Sequence, residues 1–328
     1  MKDFLFSAKT SFIFIGTVIG AGFATGEEIQ LYFQNYNTLT VVFSSLTFSL
    51  LFALFLCVGG IRTAYDGGKI AKICNIVKCV VVLISVCAMG AGSEEVLYGL
   101  FGIRGGGVIT LVICYLLTQK YKNCLSFVNF IAVPLIVVLI ILIFIKADTG
   151  VVISTKFGLI SSVGYACMNI FCASLTLKEE NLTLKRLVIS TLITFLLLTT
   201  LMLCIKFSIN NAVGSMPMIK VAEEIGLKKV AEVVVYLAIF TTMLGNLSVI
   251  KGEVKSLFKS DVLTVIFFCT IVLFGVIVGF SNVVGYGYPV ISFFGVTYTV
   301  YCVILLVFRG KFLFNKGNDS VHSSCKCT

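Results

Sequence analysis

The residues best suited to chemistry lie in one glycine-rich stretch near the start of the chain, Ile15-Gly16-Thr17-Val18-Ile19-Gly20-Ala21-Gly22-Phe23-Ala24-Thr25-Gly26-Glu27-Glu28. Gly16, Gly20 and Gly22 each cost a helix roughly 1 kcal/mol against alanine. Glycine also leaves the helix without a steric penalty. Unwinding around Val18 to Ala21 would free carbonyls and amides in the middle of an apolar segment, where an ion or a polar solute would have to satisfy them. The amides of Gly22 to Ala24, at the start of the outer half-helix, would suit a carboxylate. The same spacing equally serves close packing of two helices through Gly16-x-x-x-Gly20.

A second candidate lies further on, where Ser161, Ser162, Gly164, Tyr165 and Asn169 interrupt an apolar run. A break at Ser162 to Gly164 would face the first break, with Tyr165 and Phe23 as walls. The alternative is that the serines bond back to their own helix. The candidate solute-binding set is thus Gly20, Ala21, Gly22, Phe23, Ala24, Ser162, Gly164 and Tyr165. Ala238-x-x-Thr241-Thr242 places two hydroxyls one turn after a carbonyl. A hard cation takes such oxygens, and carbonyls of Gly16 and Ile19 would complete a Na⁺ site. Threonines in helices also commonly bond to their own backbone.

Glu27 and Glu28 fall about 9 Å beyond Gly22 on a straight helix, and Glu94 and Glu95 end another apolar run. An ionisable group at membrane depth is a functional candidate. Glu28 or Glu94 could hold a cationic part of a solute or relay a proton; a solvated outer vestibule is the other reading. The sequence shows no Walker loop, nucleophile elbow or paired-aspartate diphosphate site. The single histidine, His322, lies near the C-terminus. No enzyme activity, ATP-driven pumping or cofactor beyond Na⁺ is therefore expected.

These residues need elements to position them. Of the 328 residues 59% are hydrophobic and 12% charged, and the mean hydropathy is +1.08. A soluble domain could not hide so much apolar surface, whereas lipid can solvate it. A spanning helix needs roughly 20 mainly apolar residues, and the runs do not alternate as barrel strands would. About ten spans are expected, near 8–35, 38–60, 72–97, 106–119, 124–145, 156–178, 185–208, 229–250, 261–282 and 287–308. The first reads as a span rather than a cleaved leader, because its apolar run continues into Glu27 and Glu28 with no cleavage site. The Ser215–Gly226 stretch reads as a short amphipathic outer helix, a candidate gate.

With the N-terminus inside, most of the 25 Lys and Arg residues fall in inner segments. The outer segments hold Arg104, Lys146, Lys156, Lys206, Lys220, Lys228 and Lys229. That bias puts both termini in the cytoplasm, and it accounts for the net charge of +10 through anionic lipid rather than nucleic acid. The 13 cysteines sit mostly as single small apolar residues inside the runs. The expected division is one transmembrane bundle over 1–310 and a cytoplasmic tail over 311–328. The expected partners are a small-molecule solute and the lipid bilayer.

The bundle carries a weak internal repeat. Gly16 to Gly22 leading into Phe23-Ala24 matches Gly158 to Gly164 leading into Tyr165-Ala166. Met89-Gly90-Ala91-Gly92-Ser93 parallels Met243-Leu244-Gly245-Asn246-Leu247-Ser248. Corresponding segments 1/6 and 3/8 are what a five-plus-five repeat predicts, with repeat one near 8–146 and repeat two near 156–308. An odd number of spans per half inverts the second half, an arrangement common in secondary transporters.

The stretch from Ile15 to Glu28 resembles the opening helix of the YkvI-type bacterial membrane proteins, and the likeness extends over all ten spans. That family usually has Gln at the position of Glu27, so the resemblance implies no proton role for Glu27. It stands near the amino acid–polyamine–organocation superfamily. The resemblance implies a LeuT-type fold, an all-α membrane protein whose helices 1 and 6 break around a central substrate. It implies that Gly16, Ile19, Ala238, Thr241 and Thr242 form one sodium site. LeuT-type proteins take a second sodium on an Asn of helix 1; Phe23 stands there, so a second sodium is not expected. The implied activity is secondary transport of a small amino acid or related amine by alternating access in the plasma membrane, coupled to Na⁺ or H⁺. A nutrient-sensing receptor subunit of the same fold is the alternative.

Overall fold

The computed structural model describes residues 2–58, 69–120, 124–148, 154–174, 183–209, 212 and 214–323. The described residues form helices in the order α1 (Lys2–Val18), α2 (Ala21–Thr25), α3 (Glu27–Phe33), α4 (Thr38–Val58), α5 (Lys69–Phe101), α6 (Gly106–Lys120), α7 (Cys124–Lys146), α8 (Leu159–Ser174), α9 (Leu184–Ser208), α10 (Pro217–Glu224), α11 (Lys228–Phe258), α12 (Asp261–Val278) and α13 (Phe280–Ser323). Each of the ten expected segments contains helix, and the first contains three.

Among the described residues, seven helices are long and apolar enough to cross a bilayer: α4, α5, α7, α9, α11, α12 and α13. The helices Gly106–Gln119 and Leu159–Ala173 are apolar but shorter. The surface has the same character, with Ile160 88%, Ile277 84% and Phe130 79% exposed. Water would penalise such a surface and hydrocarbon does not. The chain is a multi-pass membrane protein.

Local chemistry sets the ends of the helices. The Thr183 hydroxyl caps α9 by accepting the Arg186 amide at 3.4 Å. Pro217 opens α10, where the missing amide costs nothing. Inside α4, Ser45, Thr47 and Ser49 donate to carbonyls three or four residues back, which hides their hydroxyls from lipid. Past the apolar stretch, α13 continues through residues 311–323, where the sequence suggested a tail.

α5 packs along α11 and α12, α8 along α13 and α4, and α9 along α1 and α4. Serine clasps to backbone carbonyls join α1 to α9 and α4 to α8. Ser7 Oγ donates to Arg186 O at 3.0 Å and Ser11 Oγ to Ser190 O at 2.9 Å, while Ser190 Oγ donates back to Ser7 O at 3.3 Å. Ser44 Oγ donates to Ser162 O at 3.1 Å, and Ser162 Oγ donates to Thr40 O at 2.9 Å. Small hydroxyl residues let the backbones approach and then bond across them, which holds helices together where water exclusion cannot.

The first segment is interrupted where the glycines predicted. α1 ends at Val18 and α2 begins at Ala21. The Gly20 amide turns to Val18 O at 2.7 Å and the Ala21 amide to Thr242 Oγ1 at 3.2 Å, so Gly16 O and Thr17 O lose the amides a continuous helix would give them. A second interruption follows at Gly26, whose φ of 78° and ψ of −2° place it in the left-handed region. The expected break at Ser162 to Gly164 is absent: α8 runs unbroken from Leu159 to Ser174. The Ser162 amide keeps its helical partner, Gly158 O, at 3.0 Å. Its hydroxyl and carbonyl are satisfied sideways by α4 through the clasp above, so nothing there calls for unwinding.

Candidate functional site

The break opens onto a cavity of about 150 Å³. Its walls come from the α1–α2 joint (Gly16, Val18, Ile19, Gly20, Ala21, Gly22), from Glu28 on α3, and from α5, α7, α8, α11 and α13. Five of those helices each bring a polar side chain: Ser85, Asn129, Asn169, Thr241 with Thr242 and Asn246, and Tyr288. Met89, Met168 and Cys172 add sulfur to the wall. Isolated amides such as Asn129 and Asn246 in apolar helices were the signal in the sequence, because a polar side chain at membrane depth needs a partner or a purpose.

Glu28 is the residue that the fold moves furthest from its expected place. A straight helix would carry it about 9 Å beyond Gly22. The left-handed turn at Gly26 redirects α3 instead, and the Glu28 carboxylate folds back over the break. A Cβ on Gly22 would stand 2.7 Å from both Glu28 Cγ and Cδ. Only a glycine leaves room for this approach. Glu28 is 6% exposed and accepts a hydrogen bond from the Tyr165 hydroxyl at 3.3 Å. The carboxylate of the protein itself therefore occupies the place where the sequence suggested the carboxylate of a solute.

The remaining expected residues divide clearly. Gly20, Ala21 and Gly22 line the cavity, as do Gly16, Ile19, Thr241 and Thr242. Phe23 and Ala24 belong to the buried core instead. Ser162 is held by α4, and a Cβ added at Gly164 would meet Ser292 at an ordinary van der Waals distance of 3.6 Å. Tyr165 reaches the site only through its bond to Glu28; its ring stands 5.3 Å from Tyr32 and 5.2 Å from Phe33. Ala238 is also outside the lining. Its carbonyl accepts both Thr241 Oγ1 at 3.0 Å and Thr242 Oγ1 at 2.8 Å, which occupies the oxygen expected to face a cation.

Glu94 is not at the site. Its two carboxylate oxygens accept the Gly105 and Gly107 amides at 2.8 and 2.9 Å, capping the start of α6. Glu27 accepts the Met216 amide at 3.1 Å and the Ser281 hydroxyl, and Glu95 accepts the Ser215 hydroxyl. Both carboxylates thus hold the turn that leads into α10. Lys206 is buried, and its ammonium donates to Phe33 O at 2.5 Å and Tyr36 O at 2.7 Å, closing the C-terminal end of α3. Among the described residues, no group of three or more His, Cys, Asp and Glu side chains could hold a metal ion.

No family model matches the chain, and no curated protein matches it. Solved structures are similar to the chain, and two of them are structures of one transporter. One is a mutant of the Eremococcus coleocola manganese transporter, at 14% identity over 94% of this chain and 72% of that one, with a TM-score of 0.46. The other is the same transporter in complex with an aromatic bis-isothiourea substituted compound, at 16% identity over 94% and 73%, with a TM-score of 0.43. A likeness this loose assigns neither substrate nor ion.

Proposed function

We propose that this chain is a secondary transporter of a small amino acid, a related amine or another small polar solute, working by alternating access with Na⁺ or H⁺ coupling in the plasma membrane. The observation that carries the proposal is the interrupted first segment, whose freed backbone and neighbouring polar side chains line a cavity within a largely apolar bundle. An apolar bundle has no structural need for such a cavity, whereas a solute-binding site does.

The reading counts ten spans, adding α6, α8 and the interrupted first segment to the seven long helices. The packing supports a five-plus-five repeat. If α1–α3 corresponds to α8, α4 to α9, α5 to α11, α6 to α12 and α7 to α13, then several contacts map onto contacts, although α8–α13 has no packed counterpart in α1–α7. The pair α1–α9 maps to α8–α4, α5–α12 to α11–α6, and α7–α11 to α13–α5. The serine clasps fall on the first of these matched pairs. Gly16, Ile19, Thr241 and Thr242 supply the oxygens for a coupling Na⁺, and the basic residues of the inner loops place both termini in the cytoplasm.

Uptake by the purified full chain in proteoliposomes tests the proposal. A panel of labelled amino acids and amines is offered under an imposed Na⁺ or pH gradient, and accumulation against the solute gradient is expected. Saturable binding without accumulation under either gradient would favour the receptor reading and overturn transport.

A further inference from the structure

We infer that the cavity is built for a small organic cation that carries no carboxylate, with Glu28 as its fixed counter-charge. This names the cargo of the transport proposal. It rests on that proposal for the passage of the cation, but not for its binding.

Three observations carry it. First, Glu28 is the one charged side chain among the described residues of the cavity wall, and no Lys, Arg or His accompanies it. A buried carboxylate with no cation beside it is costly, and a proton or a cationic guest relieves that cost. Second, that carboxylate lies over Gly22 at the break. An amino acid would bring a second carboxylate into the same small space, where like charges repel. An amine lacking the carboxylate would meet only attraction. Third, the rest of the wall suits an ammonium group with a short apolar body. Asn169 offers an amide, Tyr288 an aromatic ring, and Met168 a polarisable sulfur. A cavity of about 150 Å³ is well below the size that holds a drug-like ligand, so the cation is small.

The Tyr165 hydroxyl fixes one carboxylate oxygen from behind, bonding Oε2 at 3.3 Å. The other oxygen, Oε1, faces the Gly22 side of the cavity. The site thus presents one oriented acceptor rather than a freely rotating acid.

The test compares amines with their parent amino acids: isobutylamine with valine, and ethanolamine with serine. Binding to the full chain in lipid nanodiscs is measured by calorimetry in sodium-free potassium buffer. Each amine should bind at least about tenfold more tightly than its amino acid, because only the amino acid brings a second carboxylate against Glu28. Glu28→Gln should remove that preference by weakening the amine. Gly22→Ala keeps Glu28 but pushes its carboxylate off the break, so it should also weaken the amine and narrow the gap between amine and amino acid; it serves if Glu28→Gln does not fold. Equal or tighter binding of the amino acids overturns the inference. So does the absence of amine binding, or amine affinity untouched by either folded variant. Amine binding without gradient-driven accumulation instead sinks the transport reading and leaves this one standing.

Discussion

Replacing Thr242 by valine probes the joint between α1 and α2 directly. The Thr242 hydroxyl accepts the Ala21 amide at 3.2 Å and donates to Ala238 O at 2.8 Å. Valine has nearly the same shape, so Thr242→Val removes the hydroxyl with little change in packing. Ala238 O keeps its bond from Thr241 Oγ1 at 3.0 Å, so the uncompensated loss is the Ala21 amide on a residue that is fully buried. A buried donor left unpaired costs about 1–3 kcal/mol. The joint borders a cavity with room for water, which pulls the expected loss toward the lower end, about 1 kcal/mol. Thr242→Ser keeps the hydroxyl and loses one methyl group, about 0.8 kcal/mol if fully buried and less at this half-buried position. The decisive readout is local: backbone hydrogen exchange across residues 16–25 should quicken in the valine variant and stay near wild type in the serine variant. Thermal inactivation in lipid should follow the same order. A valine variant with wild-type exchange and wild-type inactivation, or a serine variant that is the worse of the two, would refute the idea that this hydroxyl closes the broken helix.

Four further outcomes follow from the same geometry. Changing Thr241 and Thr242 together to alanine should abolish any sodium stimulation of uptake; unchanged sodium dependence in a folded double variant removes the cation site from α11. Glu94→Ala should cost about 1–3 kcal/mol by freeing the Gly105 and Gly107 amides at the start of α6, and it should leave solute affinity unaltered in a binding titration. Lys206→Met should lower resistance to thermal inactivation by about 2 kcal/mol or more, because the carbonyls of Phe33 and Tyr36 lose a charged donor. Gly107→Leu should impair folding and yield, because even a Cβ there would stand 2.5 Å from Gly90 O; a well-expressed, stable leucine variant would contradict the close approach of α5 and α6.

The parts of the structure that the sequence revealed are those governed by local cost. Gly16, Gly20 and Gly22 weaken one stretch of helix whatever surrounds it, and the interruption falls within the expected Val18 to Ala21 window. Pro217 opens a short helix inside the expected Ser215–Gly226 stretch, again by a local cost. The misreadings came where a distant partner decides. Ser162 and Gly164 look as weak as the first glycines, but Thr40 and Ser44 on α4 satisfy the serine and the helix persists. Glu94 looked like a vestibule acid until the turn into α6 brought two amides to it. Glu28 was placed by extrapolating a straight rod, and a single left-handed residue, Gly26, reverses that geometry. Asn129, Asn169 and Asn246 are scattered along the sequence, and only packing gathers them around one space.

The three pieces of the first segment also belong to different neighbours. α1 lies along α9, whereas α2 is held by α11 and α10. If α9 tilts relative to α11, α1 can travel with it while α2 stays seated. The strain of that displacement falls on Gly20, whose amide has already left the helical pattern for Val18 O, and on the Ala21–Thr242 bond that ties the joint to α11. One wall of the cavity can therefore swing on that joint, with α7, which packs against both α9 and α11, taking up the slip between them.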